Sequence, residues 1–512
     1  MDKKKNVLFI CVDDLRPELG CYGNEHVISP NIDRLATDSA VFERNYCQVA
    51  VCNPSRSSML TGRRPDDLAV WGLYEHFREL NKKAMTMPQY FKENGFHSCA
   101  IGKIFHNDRQ DPVSWSEPKL HIKGYPYDPD AVYRDEDNLE YLECRKKEIS
   151  NKGEADKYID EYGEWYLKAS ATECLDVPDD AYYDGAQTDV AVEKLKNLAV
   201  ADKPFFFGLG YYRPHLPFNV PKKYWDMYER ESIDLAEFAT PPEGAPAMAL
   251  NNMRELRGYT GFTHVKHPTE ASLNENEAKL LRHGYFASVT YVDTQIGKLI
   301  ACLKDLGIYD NTNIVIWGDN GWKLGDYGSW GKMTNYEQDT RVPLIIKPAG
   351  IEVDGESLRN QVVESIDIFP TVCELADLKI PDSQAGKSLV PIIKKEHCEW
   401  ENIAYSQIFR YGIWHAPDGR EKMGYTVRTD TWRFVLWFDR ESYTPEAKEL
   451  YYIKHKGLER ANLAGRPDFA DIEKVLTGKL MDYIDFKWCK AKKSKAKIEH
   501  VTLNSLLLNY NI

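Results

Sequence analysis

The strongest constraint on the fold is a set of four apolar runs of strand length: "NVLFICV" (6 to 12), "HSCAIG" (97 to 102), "PFFFGLGYY" (204 to 212) and "NIVIWG" (313 to 318). A strand with one wet face alternates apolar and polar residues. Runs that do not alternate are buried on both faces, as in parallel sheets covered by helices on either side. Between them, "NIDRLATDSAVF" (31 to 42), "TMPQYFKENG" (86 to 95), "TDVAVEKLKNLA" (188 to 199) and "EAKLLRHGYFASVTYVDTQIGKLIACLKDLG" (277 to 307) place apolar residues three and four apart. That spacing predicts helices. Strands alternating with helices predict a doubly wound α/β domain, and 512 residues suffice to bury one large core.

Two stretches interrupt the alternation. Residues 107 to 180 are rich in Asp, Glu, Tyr, Lys and Pro and read as a long excursion with short elements, and about 219 to 270 reads as a second. Past "QAGKSLVPII" the period changes to two in "IAYSQIFRYG", "MGYTVRTD", "WRFVLWFD" and "KELYYIKHK". These predict an antiparallel sheet in a smaller α+β domain over residues 398–512, after a larger domain over 1–397. "YIDFKWCKAKKSKAK" (483 to 497) is expected to form a terminal helix and basic tail with a solvated surface.

The net charge of -13 argues against a nucleic-acid or anionic-membrane partner. An anionic ligand therefore needs positive charge concentrated at its site. No window reaches the ~18 uninterrupted apolar residues of a spanning helix, and "NVLFICV" is too short for a secretory leader. The expected location is the cytoplasm if the chain is complete at Met1, and the periplasm or exterior if a leader has been removed. Eleven cysteines, without CxxC or regular spacing, form neither a disulfide framework nor a zinc site. Being odd in number, they leave at least one thiol unpaired.

Each of the four runs ends in residues with chemistry: Asp13 and Asp14, then Lys103 and His106, then His215, then Asp319 and Asn320. Ligands of open α/β sheets bind beyond the carboxyl ends of the strands, so these groups should converge in one crevice. Singly, each has an ordinary reading: Asp-Asp as a turn or cap, Asp-Asn-Gly as a turn, His215 as a structural histidine, Lys103 as a surface charge. Together, three carboxylates and an amide form an oxygen-only set suited to a hard divalent cation, calcium over magnesium.

Cys52 opens "CNPSRSSMLTGRRP" (52 to 65). As a lone thiol it admits four readings: buried core residue, metal ligand, nucleophile, or a residue converted before it works. Ser55 to Leu60 can start a helix whose N-terminal amides favour anions, and Arg56 lies one turn from Cys52. A soft thiolate fits poorly beside hard oxygen ligands, so the chemistry calls for an oxygen nucleophile there.

"CNPSR" followed by "SSMLTGRRP" resembles the signature of the type I, formylglycine-dependent sulfatases, in which a maturation enzyme oxidises the cysteine to Cα-formylglycine. "FICVDD", "NIDRLA", "GKIFH", "YRPHLPF", "YFASVTYVDTQIGKL", "GDNGWKLGDYGSWGK" and "RVPLII" extend the resemblance in order over residues 6 to about 350. They are most similar to the iduronate-2-sulfatase branch, and "ELYYIKHKGLERANLA" resembles that family's C-terminal closing motif. The resemblance implies an alkaline-phosphatase-like sandwich with a large, mixed, mostly parallel sheet. It implies Ca2+ held by Asp13, Asp14, Asp319, Asn320 and the formylglycine at position 52, whose hydrated aldehyde supplies the attacking hydroxyl.

Arg56 would hold the formylglycine, and Lys103, His215 and Lys332 the sulfate oxygens. His215 or Lys332 would protonate the departing sugar oxygen, and His106 would take the proton that releases sulfate. Three departures stand out. Lys103 and His106 are three apart, as in the iduronate branch, rather than two; Asn320 stands where that branch's human member has His; and Tyr327 replaces a histidine.

The expected activity is hydrolysis of a sulfate ester on a carbohydrate, the 2-O-sulfate of a uronic acid in a glycosaminoglycan or other sulfated polysaccharide. Expected partners are that oligosaccharide and a formylglycine-generating enzyme. The alternatives are a phosphodiesterase or phosphonate monoester hydrolase of the same superfamily, and an unmatured protein that binds sulfated glycans without turnover. Trp322, Lys323 and His76, the last in "WGLYEHFREL" (71 to 80), are the candidates for stacking on the sugar and pairing with its carboxylate.

Overall fold

The computed structural model describes residues 4–107, 109–120, 122, 133–158, 167–353, 357–410, 419–454 and 457–484. Its centre is a seven-stranded sheet of β1 (Asn6–Val12), β2 (Ala40–Tyr46), β3 (His97–Gly102), β5 (Phe205–Tyr211), β7 (Thr312–Gly318), β10 (Arg341–Lys347) and β11 (Leu358–Glu364). The order is β11-β2-β10-β7-β1-β5-β3. β10 runs antiparallel to β2 and β7, and the remaining pairings are parallel. The fold is the mixed, mostly parallel sandwich expected.

β1 explains why the apolar runs do not alternate. Val7, Phe9 and Cys11 enter the core on one face of the sheet, and Leu8, Ile10 and Val12 enter the core on the other. All six are fully buried, which contributes about 1.5–3 kcal/mol for each large side chain relative to leaving it in water. The 31-residue helix Glu275–Asp305 packs on one face, while Cys52–Thr61 and Ile368–Leu375 pack on the other.

The segment read as one helix over 31 to 42 instead divides into the helix Pro30–Ala36 and strand β2. Thr37 Oγ1 donates to the Arg34 carbonyl and Ser39 Oγ to the Leu35 carbonyl, ending the helix before Val41 and Phe42 turn into the sheet. The first excursion holds more than short pieces: Glu136–Asn151 is a 16-residue helix, capped by the Asp135 carboxylate on the Asp137 and Asn138 amides. Two short pairings follow, β4 (Thr172–Leu175) with β6 (Phe218–Pro221) and β8 (Lys323–Leu324) with β9 (Trp330–Gly331).

The second sheet is an antiparallel meander of β12 (Ala404–Arg410), β13 (Lys422–Arg428), β14 (Trp432–Asp439) and β15 (Pro445–Tyr452). One face takes Leu476 and Leu480 of the helix Ala470–Tyr483. That helix precedes the expected terminal one, whose basic run from residue 485 lies outside the described residues. The other face, with Ile408, Val435, Trp437 and Tyr451, packs on Val49, Val51, Tyr327 and Tyr336. It thus supports the two segments that carry Cys52 and Lys332.

Among the described residues every cysteine is free, and no helix is long and apolar enough to cross a membrane.

Candidate active site

The carboxyl ends of β1, β3, β5 and β7 meet the N-terminus of the helix Cys52–Thr61 in one buried basin. Asp14, just past β1, adopts φ +58°, a left-handed conformation that costs a non-glycine residue energy. Three contacts fix it. Its amide donates to Asp319 Oδ1 at 3.1 Å, its carbonyl accepts from Tyr285 Oη at 2.8 Å, and the same hydroxyl accepts from the Arg16 amide. Gly102 (φ +73°) turns the chain after β3; a Cβ there would meet the Gly210 carbonyl at 2.1 Å. This close approach brings Lys103 into the basin, its amide on the Gly210 carbonyl at 3.0 Å.

Three cation–carboxylate pairs organise the floor. Lys103 Nζ lies 2.6 Å from Asp13 Oδ2, Arg56 Nε lies 2.7 Å from Asp319 Oδ2, and Lys332 Nζ contacts Asp14 Oδ1. Arg56 also donates to the Lys103 and Ile104 carbonyls and reaches Asp13 at 3.4 Å. The sequence predicted that Arg56 would hold residue 52; in the structure its direct partners are the two aspartates and these carbonyls. Lys332 Nζ is 3.2 Å from Cys52 Sγ, which occupies the first position of its helix. Burial, and then Asp13, push the Cys52 thiol well above its ordinary range, so as cysteine it stays protonated.

The oxygens fit a cation. One carboxylate oxygen each from Asp13, Asp14 and Asp319 lies within 4.8 Å of the others, and all three side chains are fully buried. Asp14 Oδ2 and Asn320 Oδ1 are buried without a hydrogen bond, orphan acceptors of the kind a hard ion satisfies. Burial raises Asp319 to about 7 against the pull of Arg56, with Asp13 and Asp14 adding to the rise. Further positive charge among these carboxylates would favour the ionised form of Asp319.

His215 closes one side. Its Nδ1 is 2.7 Å from the Leu216 carbonyl, which can only accept, so Nε2 is the nitrogen presented to the basin. Nε2 lies 3.0 Å from Glu255 Oε1 and 3.7 Å from Asp14 Oδ2. Burial and Lys332 lower its pKa while Asp14, Glu255 and Asp13 raise it, with a net rise. His106 goes the other way: burial, then Lys103, hold it well below the usual histidine range, and its buried Nδ1 has no hydrogen-bond partner. A neutral imidazole of this kind can accept a proton.

The three candidates for the sugar are placed differently. Trp322 is buried, its ring 6.3 Å from that of His215 and beneath Lys332 Nζ at 5.4 Å, so it forms the wall under these two groups. Lys323, expected to meet a sugar carboxylate, instead pairs with Asp339 and with Thr334 Oγ1 at 2.9 Å inside the protein, where its charge is already matched. His76 caps the short helix Phe77–Leu80 by accepting from the Arg78 amide, and its Nε2 reaches the Gln110 carbonyl at 3.1 Å. Both ring nitrogens are therefore committed to backbone. Tyr327, the replacement for a histidine, is buried and donates to Glu459.

Glu255, Asn251 and Arg410 are the residues that sequence reading missed. Glu255 sits on the one-turn helix Arg254–Arg257 in the second excursion. Asn251 Nδ2 donates to the Lys332 carbonyl, while its Oδ1 accepts from the Met253 amide at 2.7 Å. Lys332 lies between Gly331 (φ +130°) and Met333 (φ +75°) in a strained turn. Arg410, buried at the end of β12, donates to the Met333, Met248 and Ala249 carbonyls and so ties this turn to the second sheet. Glu255 and Asn251 lie in a segment without periodicity, Arg410 ends a strand, and all three act on residues far away in sequence, which leaves no local signal.

Residues 5–378 match the family model described as sulfatase, and residues 325–485 match that of the N-sulphoglucosamine sulphohydrolase C-terminal region. The chain is 32% identical to human iduronate 2-sulfatase, over 92% of this chain and 93% of that one. Among solved structures it resembles the phosphonate monoester hydrolase of Silicibacter pomeroyi, with a TM-score of 0.69, 25% identity and coverage of 94% and 95%. It also shares its fold with a protein solved in complex with its substrate D-glucosamine-2-N,6-O-disulfate, with a TM-score of 0.71, 21% identity and coverage of 96% and 99%.

Proposed function

Given that the chain belongs to the sulfatase family and is a sulfuric ester hydrolase, we propose that its substrate is a sulfated sugar, specifically the 2-O-sulfate of a uronic acid in a glycosaminoglycan or related polysaccharide. The observation that carries this reading is the placement of Cys52 at a helix N-terminus, against Lys332 and beside the Asp13, Asp14 and Asp319 oxygens. The similarity to human iduronate 2-sulfatase over nearly the whole chain supports the sugar and the position.

Asp13, Asp14, Asp319 and Asn320 would hold Ca2+, and residue 52 would act as Cα-formylglycine; together they would supply a metal-polarised hydroxyl nucleophile and a Lewis acid for the sulfate oxygens. Arg56 fixes Asp319 and the backbone of Lys103, keeping the floor of the basin in place. Lys103, Lys332 and His215 would offer positive charge and N–H donors to an anionic ester bound at residue 52, where charge would grow in the transition state. His215 Nε2, or Lys332, supplies the proton for the departing sugar oxygen. His106, held neutral, takes up the proton released when sulfate leaves.

The test is peptide mass spectrometry of residue 52 together with sulfate release from a 2-O-sulfated unsaturated uronic acid disaccharide, using Cys52→Ala as control. An aldehyde at 52 and release abolished in the variant support the reading. Equal turnover by unmodified wild type and Cys52→Ala would overturn it. A second reading, hydrolysis of phosphodiesters or phosphonate monoesters, draws on the likeness to the Silicibacter pomeroyi enzyme. Relative rates on matched aryl esters separate the two.

A further inference from the structure

Each cation of the basin floor has its own carboxylate: Lys103 with Asp13, Arg56 with Asp319, Lys332 with Asp14. Glu255 is a fourth carboxylate, and its partner is the imidazole of His215. Its Oε1 is 3.0 Å from His215 Nε2, the nitrogen that faces the basin, and its side chain is 26% exposed where that of His215 is 8% and that of Asp14 is 0%. The glutamate is therefore the most solvent-facing of these groups, and the Asp14 carboxylate beside His215 is fully buried. Its position is also built in: Asn251 joins the start of its helix, through the Met253 amide, to the carbonyl of Lys332.

We propose that Glu255 determines specificity by charge, disfavouring dianionic phosphate monoesters relative to monoanionic sulfate esters at the same pocket. The inference rests on the sulfatase reading above. A sulfate ester carries one negative charge, and a phosphate monoester carries nearly two above its second pKa of about 6. Both have the same tetrahedral shape, so contacts that grip the oxygens cannot separate them. A fixed carboxylate beside the oxygen-binding histidine repels the extra charge, and repulsion of the wrong ligand is as effective for discrimination as attraction of the right one. A monoanionic phosphonate ester should escape this penalty, so the device sorts by charge and not by element.

The experiment uses calcium-loaded protein with an aldehyde verified at residue 52, and compares kcat/KM for 4-nitrophenyl sulfate, 4-nitrophenyl phosphate at pH 8, and the monoanionic 4-nitrophenyl phenylphosphonate. Glu255→Gln is expected to raise the phosphate-to-sulfate ratio about tenfold, the size that loss of one nearby like charge implies. The phosphonate-to-sulfate ratio should stay within about twofold, and Glu255→Asp, which keeps the charge, should keep the wild-type ratios. Where phosphate turnover is slow, competitive inhibition by methyl phosphate, a dianion at pH 8, against methyl sulfate, a monoanion, reads the same ratio. A common factor on all three substrates, or an unmoved phosphate ratio, would overturn the inference and leave the sulfatase reading intact. Absence of any sulfate-ester turnover by the aldehyde-bearing wild type would overturn both.

Discussion

Lys332 Nζ stands 3.2 Å from Cys52 Sγ across a separation of 280 residues, and the same ammonium contacts Asp14. One cation thus bridges the residue expected to bear the nucleophile and a residue expected to bind metal. Lys332→Ala is expected to lower kcat on aryl and sugar sulfates by about 10²–10³, the usual cost of losing one preorganised charge at the reacting group. Cys52→Ala should abolish turnover. Steady-state kinetics on both variants, with circular dichroism to confirm folding, checks this; a Lys332→Ala rate within threefold of wild type would remove Lys332 from the chemistry.

The turn that presents Lys332 is held from outside, by Asn251 on its carbonyl and Arg410 on that of Met333. Asn251→Ala is expected to reduce kcat by about 10-fold, because misplacing a catalytic group by a fraction of an ångström is costly. The distinguishing measurement is a double-mutant cycle. If Asn251 acts through Lys332, its substitution should have little further effect in the Lys332→Ala background, whereas a general structural role would lower both backgrounds equally.

Asp14 Oδ2 and Asn320 Oδ1, orphaned among buried carboxylates, predict that Ca2+ stabilises the fold as well as supporting turnover. At a hundredfold excess over its dissociation constant the ion should add about 2.7 kcal/mol, seen as a rise in Tm. Chelation should reverse the rise and the activity together. Asp319→Asn should show neither response, and a calcium-dependent Tm shift that survives in this variant would place the ion elsewhere.

The parts of this architecture that were legible in the sequence are those in which local composition and tertiary role coincide. β1, β3, β5 and β7 are buried on both faces, so their strings had to be apolar, and their chemistry had to sit at their carboxyl ends. β2 and β11 escaped because their burial is partly polar. Glu43, Asn45 and Arg359 are buried in them, with Asn45 bonded to Ser365 and Arg359 to the Ile392 and Ile393 carbonyls, so neither strand reads as apolar. Lys323 was misjudged for a related reason. Its neighbour in sequence is Trp322, which does wall the basin, but in an extended segment successive side chains point to opposite sides, and Lys323 turned inward to Asp339. Glu255 and Arg410 depend on contacts made by folding alone.

Asp293 of the long helix accepts hydrogen bonds from the Asn31 and Ile32 amides and from the Asn31 side chain, capping the helix Pro30–Ala36 from outside. Asp293→Ala leaves those N–H groups without partners and should cost about 1–2 kcal/mol in urea unfolding, with kcat unchanged. A fall in kcat with unchanged stability would contradict this purely structural role.

Glu337, a few residues past Lys332, joins that segment to the second sheet, with Arg433 Nη2 at 2.7 Å and Arg428 Nε at 3.2 Å. Burial alone would raise its pKa, but Arg428, Arg433 and Arg341 outweigh it and hold the group down at about 2. A carboxylate lowered in the folded state contributes stability above its unfolded value of about 4.3, and that contribution is lost as pH falls through the folded value. Glu337→Gln is therefore expected to be on the order of 3 kcal/mol less stable than wild type at pH 7, the cost of removing a buried carboxylate that Arg428 and Arg433 share. The difference should shrink between about pH 4.5 and pH 2, where wild type loses the same charge. Parallel urea titrations of both proteins across that range measure it. A stability gap that does not depend on pH would mean that the glutamate acts through packing and hydrogen bonding, and that its charge contributes nothing to the union of the two sheets.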